Sequence, residues 1–202
     1  ETSPSSVSIH FSNPAVRIDL IGKTADIQMK PSHPGTWTFV DDSTITFVPS
    51  QHWPAEKSYT VNLKPEFFSP SIKLDDYQVG FETAPFTVTV ASSQFYIDPK
   101  DPRIKKAVIT LDFSHPVDAK SISDRVSFEY KDGLLSGKPL ANSVTLDATE
   151  MRAFVHSDIV SIQEKEASLV FNLKSGIHAK DGGGSSDSVH ADVPVPGKYT
   201  HF

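Results

Sequence analysis

Strand-forming patterns run through Thr44-Ile45-Thr46-Phe47-Val48-Pro49 and return in Tyr59-Thr60-Val61-Asn62-Leu63. Apolar and polar side chains alternate in both stretches, which is typical of a β-strand with one buried face. Between the strand predicted at Trp37-Thr38-Phe39 and the first of these stretches stands Asp41-Asp42-Ser43, which predicts a tight hairpin. The alternation also occupies 86–90, 107–113 and 167–173. Because helical periodicity is hard to find, the sequence predicts an all-β fold of two tandem antiparallel β-sandwich domains.

Three short motifs occur twice in the same order, which predicts a duplicated module. Phe11-Ser12-Asn13-Pro14 returns 102 residues later as Phe113-Ser114-His115-Pro116. The other repeated motifs are Phe47-Val48-Pro49-Ser50 with Phe154-Val155-His156-Ser157, and Val61-Asn62-Leu63-Lys64 with Phe171-Asn172-Leu173-Lys174. We therefore expect Phe11 and Phe113 to occupy equivalent buried positions in two modules.

The boundary between the modules is predicted at Thr83-Ala84-Pro85, because a proline there removes a backbone donor and interrupts strand pairing. The predicted domains are 1–84 and 85–202. The segment Pro194-Val195-Pro196-Gly197 predicts an exit linker that begins at about 194 and leads toward a further module.

Composition excludes several classes of function. The 202 residues carry 19 Lys and Arg against 25 Asp and Glu, a net charge of −6, with no basic stripe, which argues against nucleic acid as a partner. No apolar run is long enough to insert into a membrane. The absence of cysteine removes disulfides, Cys-based zinc sites and thiol nucleophiles.

Candidate chemistry in the sequence is weak, and we predict no catalytic, cofactor-binding or metal-binding residues. The eight histidines lack any spacing that fixes two metal ligands on one element: they are His10, His33, His52, His115, His156, His178, His190 and His201. The Asp98-Pro99-Lys100-Asp101-Pro102 turn offers too few oxygens for Ca²⁺. Asp41-Asp42 and Asp75-Asp76 are adjacent pairs, whereas a glycosidase needs two facing carboxylates.

Two further patterns favour structure over function. The Asp181-Gly182-Gly183-Gly184-Ser185-Ser186 stretch lacks the lysine of a phosphate-binding loop, so it predicts a flexible hairpin tip with glycines at positive φ. The sequence has no Gly-x-Ser-x-Gly nucleophile elbow. Trp37, Trp53, Tyr59 and Tyr77 would suit a sugar-stacking platform, but their alternating and corner positions favour the core.

The stretch from Pro34-Gly35-Thr36-Trp37 to Tyr59-Thr60-Val61-Asn62-Leu63, with Phe113-Ser114-His115-Pro116-Val117-Asp118, resembles the macroglobulin-like modules near the N-terminus of bacterial alpha-2-macroglobulins. The resemblance covers roughly residues 7–196. It implies that both predicted domains are macroglobulin-like β-sandwiches. Bacterial Ig-like domains of adhesins share the same pattern, so a pair of adhesin stalk modules is the alternative. A carbohydrate-binding module is a third interpretation.

The resemblance implies membership of a large periplasmic proteinase inhibitor of the cell envelope, with a parent anchored by an N-terminal lipid. Such proteins trap proteinases after cleavage of a bait region, and some link them through a Cys-Gly-x-Gln thioester. This sequence has no lipidated Cys, no such thioester motif and no evident bait segment. It is therefore predicted to be a non-enzymatic scaffold and interaction fragment. Its implied partners are other domains of the same chain, proteinases through the full-length parent, and cell-envelope proteins.

Overall fold

A computed structural model describes residues 4–199, so the first three and the last three residues of the predicted domains lie outside the described residues. The described chain consists of β-strands joined by turns, with one short helix, α1 (Ala119–Ser123), and single 3₁₀ turns at Ile18–Leu20, Pro65–Phe67 and Gly133–Leu135. All strand pairs run antiparallel, which confirms the predicted all-β fold class. The chain divides between Ala84 and Pro85 into two compact units, here called unit 1 and unit 2.

Unit 1 contains two sheets. The first has the strand order β1-β5-β4-β2 and the second the order β3-β6-β7. The strands are β1 (Val7–His10), β2 (Thr24–Ala25), β3 (Gln28–Lys30), β4 (Gly35–Phe39), β5 (Thr44–Pro49), β6 (Ser58–Asn62) and β7 (Gln78–Glu82). The predicted hairpin at Asp41-Asp42-Ser43 is confirmed: it joins β4 to β5, and the Asp41 Oδ1 accepts a 2.8 Å hydrogen bond from the Ser43 backbone N–H.

The core of unit 1 is rich in aromatic side chains from both sheets. Phe47 of the first sheet has its ring centre 5.1 Å from that of Trp37 and 5.5 Å from that of Trp53. Trp53 also packs edge-on against Tyr59 of the second sheet, with 5.1 Å between ring centres. Because aromatic side chains bury large apolar areas, these contacts join the two sheets into one sandwich.

Unit 2 contains the sheets β8-β9-β13-β12 and β11-β10-β14-β15. Its strands are β8 (Val88–Ile97), β9 (Lys105–Phe113), β10 (Val126–Tyr130), β11 (Pro139–Leu140), β12 (Asn142–Leu146), β13 (Arg152–Ser157), β14 (Ala167–Leu173) and β15 (Val189–Val195). Every second residue is buried in β9 from Ala107 to Phe113 and throughout β14, as the alternation at 107–113 and 167–173 predicted. Phe128 and Phe171, which face each other across β10 and β14, are fully buried with ring centres 5.2 Å apart.

The two units share one strand order. The order β1-β5-β4 of unit 1 matches β9-β13-β12 of unit 2, and β3-β6-β7 matches β10-β14-β15, in the same sequence along the chain. Backbone hydrogen bonds at the Phe-Ser-x-Pro bend also recur: Phe11 N–H to Ser43 O and Ala15 N–H to Asp42 O in unit 1, Phe113 N–H to Met151 O and Val117 N–H to Glu150 O in unit 2. Unit 2 adds β8, which pairs with the outer edge of β9.

In the structure, one of the predicted motif alignments is offset by one residue. Ile45 of β5 pairs with Ile9 of β1, and Ala153 of β13 pairs with Leu111 of β9, the counterpart of Ile9. Ile45 therefore corresponds to Ala153, and Phe47, two residues further along, corresponds to Val155. The prediction that Phe47 corresponds to Phe154 is therefore wrong. Phe47 and Val155 point into their cores, while Phe154 lies half-buried on the other face, because a slip of one residue moves a strand side chain to the opposite face.

Two other expectations need correction. Phe113 is buried, but its counterpart Phe11 is only half-buried, packed edge-on against Phe68. The exit linker predicted from about 194 is also wrong, because Pro194 and Val195 belong to β15 and Val195 is 1% exposed. Alternation in β15 places Val193 and Val195 in the core, and prolines tolerate an edge strand, which the sequence prediction did not weigh.

Candidate functional site

The histidines do not form a common site. Among residues 4–199, no group of three His, Asp or Glu side chains is arranged to hold a metal ion. His33 stacks on Trp53 with 4.3 Å between ring centres, and its Nε2 lies 3.2 Å from the Gln51 carbonyl oxygen. His115 is buried at the bend of unit 2, where its Nδ1 shares a 2.8 Å hydrogen bond with the Ser114 hydroxyl. These two rings contribute to packing and turn structure.

The carboxylates of the 98–102 turn bind groups of their own loop. Asp98 Oδ1 accepts backbone N–H groups from Lys100 at 2.7 Å and Asp101 at 3.2 Å. The Arg103 guanidinium donates two 2.9 Å hydrogen bonds to the Asp101 carboxylate, and these lower the pKa of Asp101. Both side chains therefore stabilise the turn between β8 and β9.

Charged side chains on the surface of unit 2 pair across neighbouring elements. Arg152 donates hydrogen bonds of 2.6 and 2.9 Å to the two oxygens of Asp112, and this lowers the pKa of Asp112. Lys180 Nζ lies 2.6 Å from Glu150 and 3.5 Å from Asp118, and the hydrogen bond to Glu150 raises the pKa of Lys180. Exposed pairs of this kind stabilise a fold only slightly.

The aromatic residues weighed as a sugar platform lie mostly inside unit 1. Trp37, Trp53 and Tyr59 are buried and Tyr77 is half-buried, which confirms the core interpretation. Trp53 Nε1 donates a 2.7 Å hydrogen bond to the Ser5 carbonyl oxygen. Burial raises the pKa of the Tyr59 hydroxyl. A stacking surface needs exposed ring faces, which these three residues do not offer.

The glycine-rich stretch is anchored at one end. Gly182 and Gly183 have φ angles of +82° and +112°, which confirms the predicted positive φ. Ser186, however, is buried, and its hydroxyl accepts a 3.2 Å hydrogen bond from the Ile177 backbone N–H. A loop held in this way differs from the predicted flexible tip, because the serine satisfies a buried donor that would otherwise lack a partner.

Unit 1 has an apolar groove, here called the β1–β7 groove, along its open side. It has a volume of about 500 Å³ and runs the length of β1, between this strand and β7. Val61 and Leu63 also line it, together with Leu74 and the two acidic residues Asp75 and Asp76. The inward side chains of β1 and β7 that line it are half-buried: Val7, Ile9, Val79 and Phe81.

Unit 2 has a second groove, here called the β8–β15 groove, of about 640 Å³. Phe95 and Ile97 of β8 line it together with the 194–196 segment, and Asp132 and Glu166 supply negative charge. The Ser93 hydroxyl lies 3.4 Å from the Asp192 carbonyl oxygen, so β8 reaches β15 and closes this side of the sandwich. Sequence reasoning missed both grooves, because each is formed by strands far apart in the chain and no local pattern marks them.

The fold and its surfaces define a duplicated pair of β-sandwich units without an evident catalytic centre in the described residues. No protein-family profile matches the chain. Three curated relatives do: an alpha-2-macroglobulin homolog of Yersinia pestis (26% identity over 86% of this chain), an alpha-2-macroglobulin of Pasteurella multocida (27% over 95%) and one of Rickettsia conorii (22% over 84%). The chain is thus related to the bacterial alpha-2-macroglobulins along most of its length, which confirms the resemblance.

The chain spans only 9–11% of the length of these relatives. Its similarity therefore concerns one portion of a much longer protein. None of the helices in residues 4–199 has the length and apolar character needed to cross a membrane.

Proposed function

We propose that this chain is a non-catalytic scaffold and interaction segment of a bacterial alpha-2-macroglobulin. The observation that carries the proposal is the extent of the similarity, which covers 84–95% of the chain but about a tenth of each relative. Its partners are then other domains of the longer chain and, through that chain, proteinases and cell-envelope proteins. Bait cleavage and covalent capture take place in other parts of that protein, in the periplasm.

The structure supports this proposal through the way its polar groups are used. The carboxylates of the 98–102 turn stabilise that turn, the Asp112–Arg152 pair joins neighbouring strands, and Lys180 connects separate loops through Glu150 and Asp118. Buried space is filled by aromatic and aliphatic side chains in both units. A pair of rigid sandwiches with a shared strand order is suited to holding neighbouring parts of a large protein at fixed positions.

The test compares inhibition of trypsin and elastase, assayed on a protein substrate, by the 202-residue chain and by the full-length protein that contains it. We expect inhibition by the full-length protein alone. Deleting this segment from the full-length protein should reduce inhibition, whereas the conservative Val48→Ala substitution, on an exposed face, should leave it unchanged. Stoichiometric inhibition by the 202-residue chain, or full inhibition after the deletion, would contradict the proposal.

A further inference from the structure

An aspartate followed by a glycine is a point at which a protein chain can rearrange, because glycine has no Cβ to hinder attack by its own backbone nitrogen. The chain contains two such pairs, Asp132-Gly133 and Asp181-Gly182, and both lie in unit 2. Both aspartates are exposed, so exposure alone does not distinguish them. Their hydrogen bonds differ, and the two pairs should therefore differ in reactivity.

In this rearrangement the glycine nitrogen attacks the side-chain Cγ of the preceding aspartate, an intramolecular reaction of neighbouring groups. A bond forms between the nitrogen and Cγ, the bond between Cγ and one carboxyl oxygen breaks, and the carboxyl OH leaves with the amide hydrogen as water. The cyclic succinimide then takes up a water. Hydrolysis at the side-chain carbonyl restores aspartate, whereas hydrolysis at the main-chain carbonyl gives isoaspartate, whose main chain runs through Cβ and Cγ.

Ring closure requires a rotation that the surrounding structure either permits or hinders. The Cα–C bond of the aspartate must turn until the glycine nitrogen eclipses Cβ, and this turn moves the aspartate carbonyl and the next peptide group. A pair whose carboxylate, carbonyl and following N–H are held by hydrogen bonds must first open locally. Its rate is then lowered by the small population of the open state.

The first pair, Asp132-Gly133, is held in this way. The Asp132 Oδ1 accepts a 2.9 Å hydrogen bond from the backbone N–H of Ser168 in β14. The Gln163 side chain donates to the Asp132 carbonyl oxygen at 3.3 Å and accepts the Leu134 N–H at 2.7 Å. The ψ angle of Asp132 is 177°, and turning it for ring closure would break these two bonds of Gln163.

The second pair, Asp181-Gly182, lies in the glycine-rich loop between β14 and β15. The Asp181 carboxylate makes no hydrogen bond or ion pair with any residue of the described part of the chain, 4–199. The Gly182 N–H donates a 3.1 Å hydrogen bond to the Ala179 carbonyl oxygen, and this turn bond must break. A Cβ at Gly182 would meet no atom within 4 Å, whereas one at Gly133 would clash with the Gln163 side chain, so the backbone at 182 has more room to turn.

The base of this loop is fixed independently of its tip. The Ser186 N–H donates to the Ile177 carbonyl oxygen at 2.8 Å, and the Ser186 hydroxyl accepts the Ile177 N–H at 3.2 Å. His178 and Ser185 form an isolated β-bridge beside them. Exposed loop tips tolerate changes in chain length, so a longer main chain between 179 and 184 should leave unit 2 folded.

We propose that Asp181-Gly182 is a site of spontaneous isoaspartate formation in the folded protein, and that the hydrogen bonds around Asp132-Gly133 protect that pair. The reaction needs no enzyme and no co-reactant other than water. It adds a methylene to the main chain of the loop and attaches the carboxylate directly to the main chain, next to Lys180, which bridges Glu150 and Asp118. The inference rests on these two loops and does not depend on the proposed function.

The test follows both pairs in one sample of the 202-residue chain, incubated at neutral pH in water enriched in oxygen-18, once folded and once unfolded in urea. After digestion in ordinary water, the isoaspartyl and aspartyl peptides are separated by chromatography, and mass spectrometry counts the heavy oxygen that each succinimide hydrolysis leaves behind. In urea the two pairs should react at similar rates, because both are Asp-Gly. In the folded chain Asp181 should react at least about tenfold faster than Asp132.

Two variants test the chemistry and its protection separately. Asp181→Glu keeps the charge but lengthens the side chain by a methylene, which prevents the succinimide ring, so heavy oxygen at 181 should disappear. Gln163→Ala removes two of the hydrogen bonds around Asp132 and should raise the rate there several-fold, while the rate at Asp181 stays unchanged. Circular dichroism shows whether each variant is folded. If Gln163→Ala does not fold, the comparison of the wild type in buffer and in urea still decides the question.

Three outcomes would overturn the proposal: neither isoaspartate nor heavy oxygen at 181 in the folded chain, equal rates at the two pairs in the folded chain, or heavy oxygen at 181 in Asp181→Glu. An unchanged rate at Asp132 in folded Gln163→Ala would contradict the protection assigned to Gln163. Loss of the folded circular dichroism spectrum as isoaspartate accumulates would contradict the inference that the tip absorbs the longer main chain.

Discussion

Replacing Phe47 by alanine should strongly destabilise unit 1, whereas the neighbouring Val48→Ala should have little effect. Phe47 is 2% exposed and packs between Trp37 and Trp53, while Val48, the next residue of β5, is 56% exposed on the outer face. Truncation of a buried Phe costs about 3–5 kcal/mol through lost transfer energy and the cavity that remains. An exposed substitution usually changes stability by about 0.5 kcal/mol or less.

The size of this effect is large compared with the stability of the unit. A unit of about 80 residues has a free energy of unfolding of roughly 4–12 kcal/mol, at about 0.05–0.15 kcal/mol per residue. With a urea dependence of about 2 kcal/mol/M, Phe47→Ala should lower the unfolding midpoint by roughly 1.5–2.5 M. Val48→Ala should shift the midpoint by about 0.25 M or less.

Tryptophan fluorescence during urea unfolding measures this midpoint in unit 1 alone, because both tryptophans of the chain, Trp37 and Trp53, lie in that unit. The Phe47 ring contacts both indoles, so its removal can change the emission intensity, but the midpoint remains interpretable. Equal midpoint shifts for the two variants, or a larger shift for Val48→Ala, would refute the register that places Phe47 inside and Val48 outside.

Three further predictions concern glycines and one ion pair. Gly35→Ala should destabilise unit 1 by about 1–3 kcal/mol in urea unfolding, because its Cβ would lie 2.6 Å from the Val48 carbonyl oxygen. In the same assay Gly80→Ala should be neutral or stabilising, because the nearest atom to its Cβ would be 3.8 Å away. Gly197→Ala should lower the melting temperature of unit 2, since its Cβ would lie 2.9 Å from the 164–166 backbone; an unchanged melting curve would show that this close approach does not contribute to the stability of unit 2. Arg152 lowers the pKa of Asp112 below its ordinary value of 3.8. The charged carboxylate therefore stabilises the fold at pH values above 3.8, and this contribution is lost as the pH falls through the lowered pKa of Asp112. Asp112→Asn should therefore be less stable than the wild type at neutral pH, by about 1 kcal/mol at most because the pair is partly exposed, and denaturant unfolding at pH values well below 3.8 should show no difference.

The sequence predicts the local structure well because alternation and turn chemistry act over a few residues. The strands at 44–49, 107–113 and 167–173 and the hairpin at Asp41-Asp42-Ser43 follow from such patterns. The alignment of the repeats is harder to predict from the sequence. The motifs match Phe154 with Phe47, but Phe154 lies on the opposite face of its strand. Only pairing with Leu111 of β9, more than 40 residues away, fixes which face of β13 is buried.

The two grooves could not be predicted from the sequence for the same reason. The β1–β7 groove is bounded by strands from opposite ends of unit 1, and the side chains around it, such as Ile9 and Phe81, have ordinary core patterns in the sequence. What distinguishes them is that they are only half-buried in the folded unit. That property belongs to the assembled sandwich and has no local signature.

The contact of β8 with β15 determines how unit 2 would resist a pulling force. Ser93 lies beside Asp192, and Phe95 and Ile97 line a groove with residues 194–196, so the first and last strands of this unit run in the same direction. Tension applied at the two chain ends of unit 2 would pull β8 and β15 lengthwise in opposite directions. The hydrogen bonds of β8 with β9 and of β15 with β14 would then carry the load together in shear, instead of opening one after another as in unzipping.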